Sequence, residues 1–285
     1  MLRRLATTDA KLKSMHVSIA DLAMRTCVTQ LLLTRWALEQ SAIGDARTNT
    51  AYTALLHTIE TNKLDQNFTT HEKLLFEMPL SKWDDSDHFQ VEPRWESFGV
   101  LLWSIRIFKE MPDPWLIFPR QSMYTSTNIV PAQPDSISVF LNYFQSGPGA
   151  KADHVVDYSQ FIDQVNRAEA WYWRSKAQQV LDFKRTKPDT KKIPPGLRGL
   201  MGNIENAIEQ GSIRAREEGF IETLVDGDFG VKGAAYRDLT DHDSRDIGLN
   251  SEARMAALAW MAGHPWDYER GQVPFVHPMG SLWST

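Results

Sequence analysis

The spacing of apolar residues along the chain is typical of α-helices. Over residues 19–42, apolar side chains recur at three- and four-residue steps, which predicts a largely buried helix that Gly44 ends. The same spacing predicts a helix that begins after Pro93 and carries an apolar stripe from Trp95 to Phe108. A third long helix is predicted over residues 155–183. These three segments are expected to supply most of the core.

Shorter elements lie between these helices. The apolar positions of residues 51–59 predict a second helix, and Thr69-Thr-His-Glu72 has the form of a capping box before a third helix that Pro79 ends. Residues 136–145 fit either a helix or a strand, since a short apolar run does not separate the two.

The C-terminal third combines helices with a turn-rich segment. Residues 197–220 predict one or two helices with a break near Gly211. Val225-Asp-Gly-Asp-Phe-Gly predicts a turn that leads a small β-hairpin into residues 231–236. Asn250-Ser251 is predicted to cap a last helix that runs to Gly263.

Two segments are predicted to be surface loops. Residues 111–134 contain five prolines, and residues 184–198 contain a run of lysines and arginines beside further prolines. The basic run is compatible with a patch for an anionic ligand and with a solvated loop. We therefore predict a mainly α-helical, single irregular domain over residues 1–285, with long Pro-rich loops, at most a small β-hairpin, and residues 1–15 compatible with a flexible N-terminus.

Composition narrows the class of protein. A net charge of −5 argues against a basic nucleic-acid binder. No apolar run approaches the roughly 20 residues that cross a bilayer, and no secretory signal is evident, so no membrane partner is expected and the cytoplasm is the predicted location. A single cysteine, Cys27, offers neither an internal disulfide nor a thiolate zinc site.

Three segments spread over the chain resemble the family called domain of unknown function 4272. They are Arg94-Trp-Glu-Ser97 with Leu101-Leu-Trp103, Glu169-Ala-Trp-Tyr-Trp-Arg174, and Val225-Asp-Gly-Asp-Phe229 followed by Glu252-Ala-Arg254, Ala257-Leu-Ala-Trp-Met261 and Trp266-Asp267. Ala259 stands where the family pattern has asparagine, and an Asp-Thr pair after Trp266-Asp267 is missing. The resemblance implies a helical fold and carries no catalytic residue over, because the family has no established activity.

Acidic residues recur beside arginines on the predicted core helices. Buried carboxylates need partners, and partial desolvation is also how enzymes raise a carboxylate pKa for proton transfer. Interhelical ion pairs and a pocket for acid/base work are both compatible with this pattern. The candidate catalytic residues are Glu96, Glu169, Arg174, Glu252 and His264.

The ten tryptophans are the second unusual feature. Several fall in the three segments above, where their rings could line one shared cavity or simply fill the core. The candidate substrate-binding residues are Trp95, Trp103, Trp173, Trp260 and Trp266.

Motifs for metal, nucleotide or nucleophilic chemistry are absent from the sequence. The eight histidines form no His-Glu-x-x-His or Glu-x-x-His pattern, and no Walker or dinucleotide-binding motif occurs. No metal and no cofactor is therefore expected.

Two functions stay open at this point. The first is a cofactor-independent enzyme that uses carboxylate acid/base chemistry on a small apolar or aromatic molecule in a Trp-lined pocket. The second is a non-catalytic protein-binding or immunity-type module that uses residues 111–134 or 184–198 as its contact surface. The sequence does not determine the oligomeric state.

Overall fold

The computed structural model describes residues 15–41, 45–189, 193–268 and 271–276. This part of the chain is mainly α-helical with one small antiparallel sheet, as the sequence predicts. The helices are α1 (Ile19–Glu39), α2 (Ala46–Thr61), α3 (Thr70–Glu77), α4 (Asp85–Val91), α5 (Arg94–Ser104), α6 (Arg120–Ser126), α7 (Pro134–Gln145), α8 (Tyr158–Arg185), α9 (Pro195–Glu217) and α10 (Asp241–Met261). The strands are β1 (Leu224–Val225), β2 (Asp228–Val231) and β3 (Ala234–Ala235).

Helix α1 is central to the N-terminal half. Ser18 and Asp21 form a capping box at its start, and its middle is buried on nearly every side. The burial has a simple cause, since α2, α5 and α7 all pack against this one helix. The predicted capping box of α3 is also present, with Thr69 and Glu72 each accepting the other's backbone N–H.

Helix α10 organises the C-terminal half. It packs against both α5 and α8, and α8 in turn packs against α9. This arrangement brings the three helices that carry the candidate acids against one another, so the chemistry of the site depends on how their facing side chains pair.

The sheet is a meander of two tight hairpins. Leu224 and Val225 of β1 pair with β2, which pairs in turn with β3. The turn residues Asp226-Gly227 and Lys232-Gly233 all have positive φ, the conformation of a type I′ hairpin turn. All of β2 is buried, and it packs against α9.

The helices differ from the sequence prediction in several places. Helix α10 begins at Asp241 with Thr240 as its N-cap, so Asn250 and Ser251 lie inside the helix instead of capping it. Helix α9 continues through Gly211, where only glycine fits because a Cβ would lie 2.4 Å from Cη2 of Trp173. Helix α5 ends at Ser104, four residues before the end of its apolar stripe.

The two predicted loops are shorter than expected. Residues 111–134 include α6, and Pro134 already begins α7, which settles residues 136–145 as a helix. The basic loop is shorter than the predicted residues 184–198, because α8 extends to Arg185 and α9 begins at Pro195. The predicted flexible N-terminus (except Met15), Gly44, and Lys191 and Lys192 of the basic run lie outside the described residues.

Candidate functional site

Glu96 forms a buried ion pair across two helices. It lies on α5, and its Oε2 accepts a hydrogen bond from Nε of Arg254 on α10 at 2.8 Å and forms an ion pair with Nη2 of the same guanidinium at 2.7 Å. Its other oxygen accepts the Phe118 backbone N–H at 3.0 Å. Both oxygens of Glu96 are thus engaged within the protein, so its first role is to join α5 to α10.

Arg254 extends this pair to the Pro-rich segment. Its guanidinium donates to the carbonyl oxygens of Pro112 at 2.7 Å and Leu116 at 2.5 Å, and it lies over the Phe118 ring. Burial lowers the pKa of Arg254, and the adjacent Glu96 carboxylate opposes that shift. The Glu96–Arg254 pair therefore fastens residues 112–118 to the helical core.

Arg174 forms a second buried pair, with Asp228 at the start of β2. Its Nε and Nη2 donate to the two carboxylate oxygens at 2.6 and 2.7 Å, and neither side chain is exposed to solvent. Nη2 also donates to Gln178 on the same helix, and the guanidinium lies over the Tyr236 ring. This bidentate geometry joins α8 to the sheet.

Asp228 is the residue that sequence reasoning missed. Besides Arg174, its carboxylate accepts the backbone N–H groups of Phe229 and Arg237 at 2.8 and 3.0 Å. The Asp-Gly-Asp segment predicts a turn and no partner for its second aspartate. The feature that could have indicated a buried partner is that Asp228 begins a short strand whose other residues are apolar or glycine.

A cleft opens between α5, α10 and the last described segment. We call residues 266–268 and 271–276 the C-terminal strap, and the space beneath it the strap cleft. The strap cleft holds about 490 Å³ of empty space, part of it continuous with solvent. Its lining residues are Gln90, Pro93, Arg94, Ser97, Leu249, Glu252, Ala253, Ala256, Tyr268 and Val273.

Glu252 is the candidate acid that faces this cleft. Its side chain is 13% exposed, and among the described residues the cation paired with it is Lys176, whose Nζ lies 3.9 Å from Oε2. Its Oε1 accepts the backbone N–H of Gly271, which ties the strap to α10. Glu252 is therefore held in place while its charge is only loosely paired.

Arg94 and Tyr268 are two further polar residues that line the cleft, beside Gln90 and Ser97. Burial lowers the pKa of Arg94, and Asp267, whose carboxylate lies 3.7 Å from Nη2, opposes that shift. The hydroxyl of Tyr268 is buried and has no hydrogen-bond partner among the described residues. Burial raises the pKa of Tyr268 to about 12, so the phenol is neutral near pH 7 and can donate or accept a hydrogen bond.

A network of charged and aromatic side chains holds Arg94 in place. Arg94 donates to the carbonyl of Trp266 at 3.3 Å, and the guanidinium groups of Arg94 and Arg25 both lie about 5 Å from the centre of the Trp266 ring. Arg25 in turn bonds both oxygens of Glu72 at 2.8 Å. The network connects α1, α3 and α5 to the strap.

The candidate tryptophans are divided between two packed clusters. Trp173 packs with Phe229 and the residues of α9. The other candidates belong to or pack against the cluster around α1, where Trp260 and Trp266 meet edge to face. The members of that second group are Trp95, Trp103, Trp260 and Trp266.

The remaining candidates occupy different surroundings. Trp95 and Glu96 line a second depression of about 820 Å³, which shares Pro93 and Leu249 with the strap cleft. Glu169 is buried on α8. His264 follows α10, half-buried, with its backbone N–H bonded to the carbonyl of Ala259. The structure thus places only Glu252 of the predicted set on the wall of the strap cleft.

Comparison with protein-family models, curated proteins and solved structures found no match to this chain. The resemblance to domain of unknown function 4272 therefore stays a prediction. Within the described ranges, no helix is both long and apolar enough to cross a bilayer. In the same part of the chain, no group of three or more His, Cys, Asp or Glu side chains is placed to hold a metal ion.

Proposed function

We propose that the protein binds a small organic molecule in the strap cleft and that Glu252 exchanges a proton with it, without a cofactor. The observation that carries this proposal is the contrast between the acids. Both oxygens of Glu96 are bonded within the core, whereas Glu252 lines a cleft and, among the described residues, pairs only with Lys176 at 3.9 Å. A carboxylate that is partly desolvated and loosely paired is suited to general acid/base work.

The walls of the cleft define the kind of ligand. Leu249, Ala253, Ala256 and Val273 form an aliphatic surface, and Arg94 and Tyr268 add a cation and a neutral hydroxyl. Sites of this composition bind molecules with an apolar body and a few polar groups. Trp266 contacts Arg94 but does not line the cleft, so the pocket that we propose has aliphatic walls in place of the predicted tryptophan ones.

Binding is tested first, by a thermal-shift screen with small aromatic and aliphatic acids and amides. A ligand that binds only the native state raises the melting temperature. Ala256→Phe fills the cleft, so we expect at least a tenfold loss of affinity by titration calorimetry. If no compound raises the melting temperature, or if Ala256→Phe binds as tightly as the wild type, the strap cleft is not the site and the protein-binding alternative is favoured.

Glu252→Gln tests proton transfer. Glutamine keeps the shape of the side chain but cannot accept a proton, so exchange of an acidic C–H of the bound compound in D₂O should slow about 100-fold or more, as followed by proton NMR. Glu222→Gln is the matched control, because Glu222 is exposed and does not line the cleft. Exchange at the wild-type rate in Glu252→Gln would refute the assignment of Glu252.

A further inference from the structure

A third depression lies at the C-terminal end of α8 and is lined mainly by cations. The end of α8, helix α9 and the segment after β3 enclose about 1040 Å³ of space, part of it open to solvent. We call this depression the basic cleft. Its lining residues are Leu181, Lys184, Arg185, Lys187, Glu205, Ile208 and Arg237.

The charges of the basic cleft do not cancel. Among the residues that the structure describes, four cations line it against one carboxylate, that of Glu205. Lys184 pairs with Glu205 at 2.5 Å and lowers the pKa of this carboxyl group. Glu205 is therefore ionised and neutralises the charge of Lys184. Arg185 lies 3.3 Å from Asp182, and both side chains are about half exposed, so that pair is weak. A cleft with one dominant sign of charge concentrates counter-ions.

The sequence alone does not predict that Arg237 lines the basic cleft. It follows the sheet, about 50 residues after Lys187 in the chain, and the fold brings it to the same cleft. Its Nη2 donates to the carbonyl of Asp226, whereas its Nε is 3.5 Å from Asp228 and has no hydrogen-bond partner among the described residues.

The charge of Arg237 is only partly neutralised. Asp228 already accepts two hydrogen bonds from Arg174 and two from backbone N–H groups. A single carboxylate therefore faces two guanidinium groups, and the pair of arginines leaves one positive charge in excess at the inner end of the basic cleft.

We propose that the basic cleft binds a small organic phosphate. Lysine and arginine side chains are the usual protein ligands of phosphate oxygens, and arginine adds paired hydrogen bonds. Leu181 and Ile208 give the cleft an apolar surface that fits the organic part of such a ligand. Arg237 distinguishes this site from a solvated run of lysines, because it comes from a distant element and converges on the same space.

Titration calorimetry with inorganic pyrophosphate and with phenyl phosphate tests this proposal on the full chain. We expect saturable binding of both probes at low salt, and weaker binding at about 300 mM NaCl because salt screens the cations. Lys187→Glu and Arg185→Glu should each reduce the affinity at least tenfold. Both side chains are exposed, so the fold should be kept, which a circular-dichroism melt verifies.

Lys151→Glu is the matched control, since it makes the same change of charge at an exposed position that does not line the basic cleft. Its affinity for both probes should stay within twofold of the wild type. The proposal is overturned if the wild type binds neither probe at low salt, or if Lys151→Glu weakens binding as much as Lys187→Glu. Binding to the strap cleft is measured with different compounds, so either proposal can fail without the other.

Discussion

Asp228→Asn should lower the free energy of unfolding by about 3–5 kcal/mol. Arg174 is fully buried and receives its counter-charge from Asp228 through two short hydrogen bonds. Asparagine keeps the size of the side chain but removes the charge, so the Arg174 guanidinium is left in a low-dielectric interior without compensation. The cost of burying an unpaired ion accounts for most of this loss of stability. The new amide offers Arg174 only a single acceptor oxygen and no charge.

Urea denaturation measures the change, and Asp226→Asn provides the control. Asp226 lies two residues earlier in the same hairpin, is exposed, and has a left-handed backbone conformation that asparagine tolerates. Its substitution should change the free energy of unfolding by less than about 0.5 kcal/mol. Equal denaturation midpoints for Asp228→Asn and the wild type would show that the buried pair is not an essential part of the fold.

Glu96→Gln should also destabilise the protein by about 3 kcal/mol or more. Arg254 then loses the carboxylate that accepts its Nε hydrogen bond and pairs with its Nη2, and it keeps only the carbonyl oxygens of residues 112–116. Because the Phe118 N–H donates to the other oxygen of Glu96, the Pro-rich segment should loosen as well. Faster amide hydrogen exchange at Leu116 to Phe118 would report this local effect.

Glu92→Gln is the corresponding control for this prediction. Glu92 lies four residues earlier and pairs with Arg120 at 3.3 Å, but both side chains are substantially exposed. Surface pairs of this kind contribute about 0–1 kcal/mol, so only a small change is expected. A similar loss of stability in the two variants, or unchanged exchange in residues 116–118 of Glu96→Gln, would contradict the role that we assign to Glu96.

The sequence predicts elements well where the information is local. The three-to-four spacing of apolar residues identifies α1, α5 and α8, and the Thr69–Glu72 capping box lies at the start of α3. The hairpin turn at Asp226-Gly227 is also predicted, since aspartate and glycine accept positive φ, although the second turn, at Lys232-Gly233, is not. These features depend on neighbours in the chain, which a single sequence contains.

Errors arise where a distant contact overrides local preference. Gly211 suggests a helix break, yet it is required inside α9 because Trp173 of α8 occupies the space of its side chain. Asn250-Ser251 suggests an N-cap, yet α10 begins at Asp241, ten residues before Ser251, which is buried. The local pattern of residues does not reveal which helix will pack against a glycine or a serine.

The candidate site shows the same difference between local sequence information and distant contacts. The pattern of acids and arginines identifies Glu96, Arg174 and Glu252, but their partners Arg254, Asp228 and Lys176 lie 158, 54 and 76 positions away in the sequence. Tyr268 becomes part of the site only because the fold brings the strap against α10. Spacing therefore finds the residue types that need partners, and only the fold determines which pairs form and which acid borders a cleft.

The central claim is that the strap cleft is a ligand site centred on Glu252. Its most direct test is to soak crystals of the full chain with the compounds that raise the melting temperature. We expect bound density beneath the strap, with polar atoms of the compound within hydrogen-bond distance of Glu252 and of Arg94 or Tyr268. Density for those compounds elsewhere on the protein, with the strap cleft empty, would contradict it.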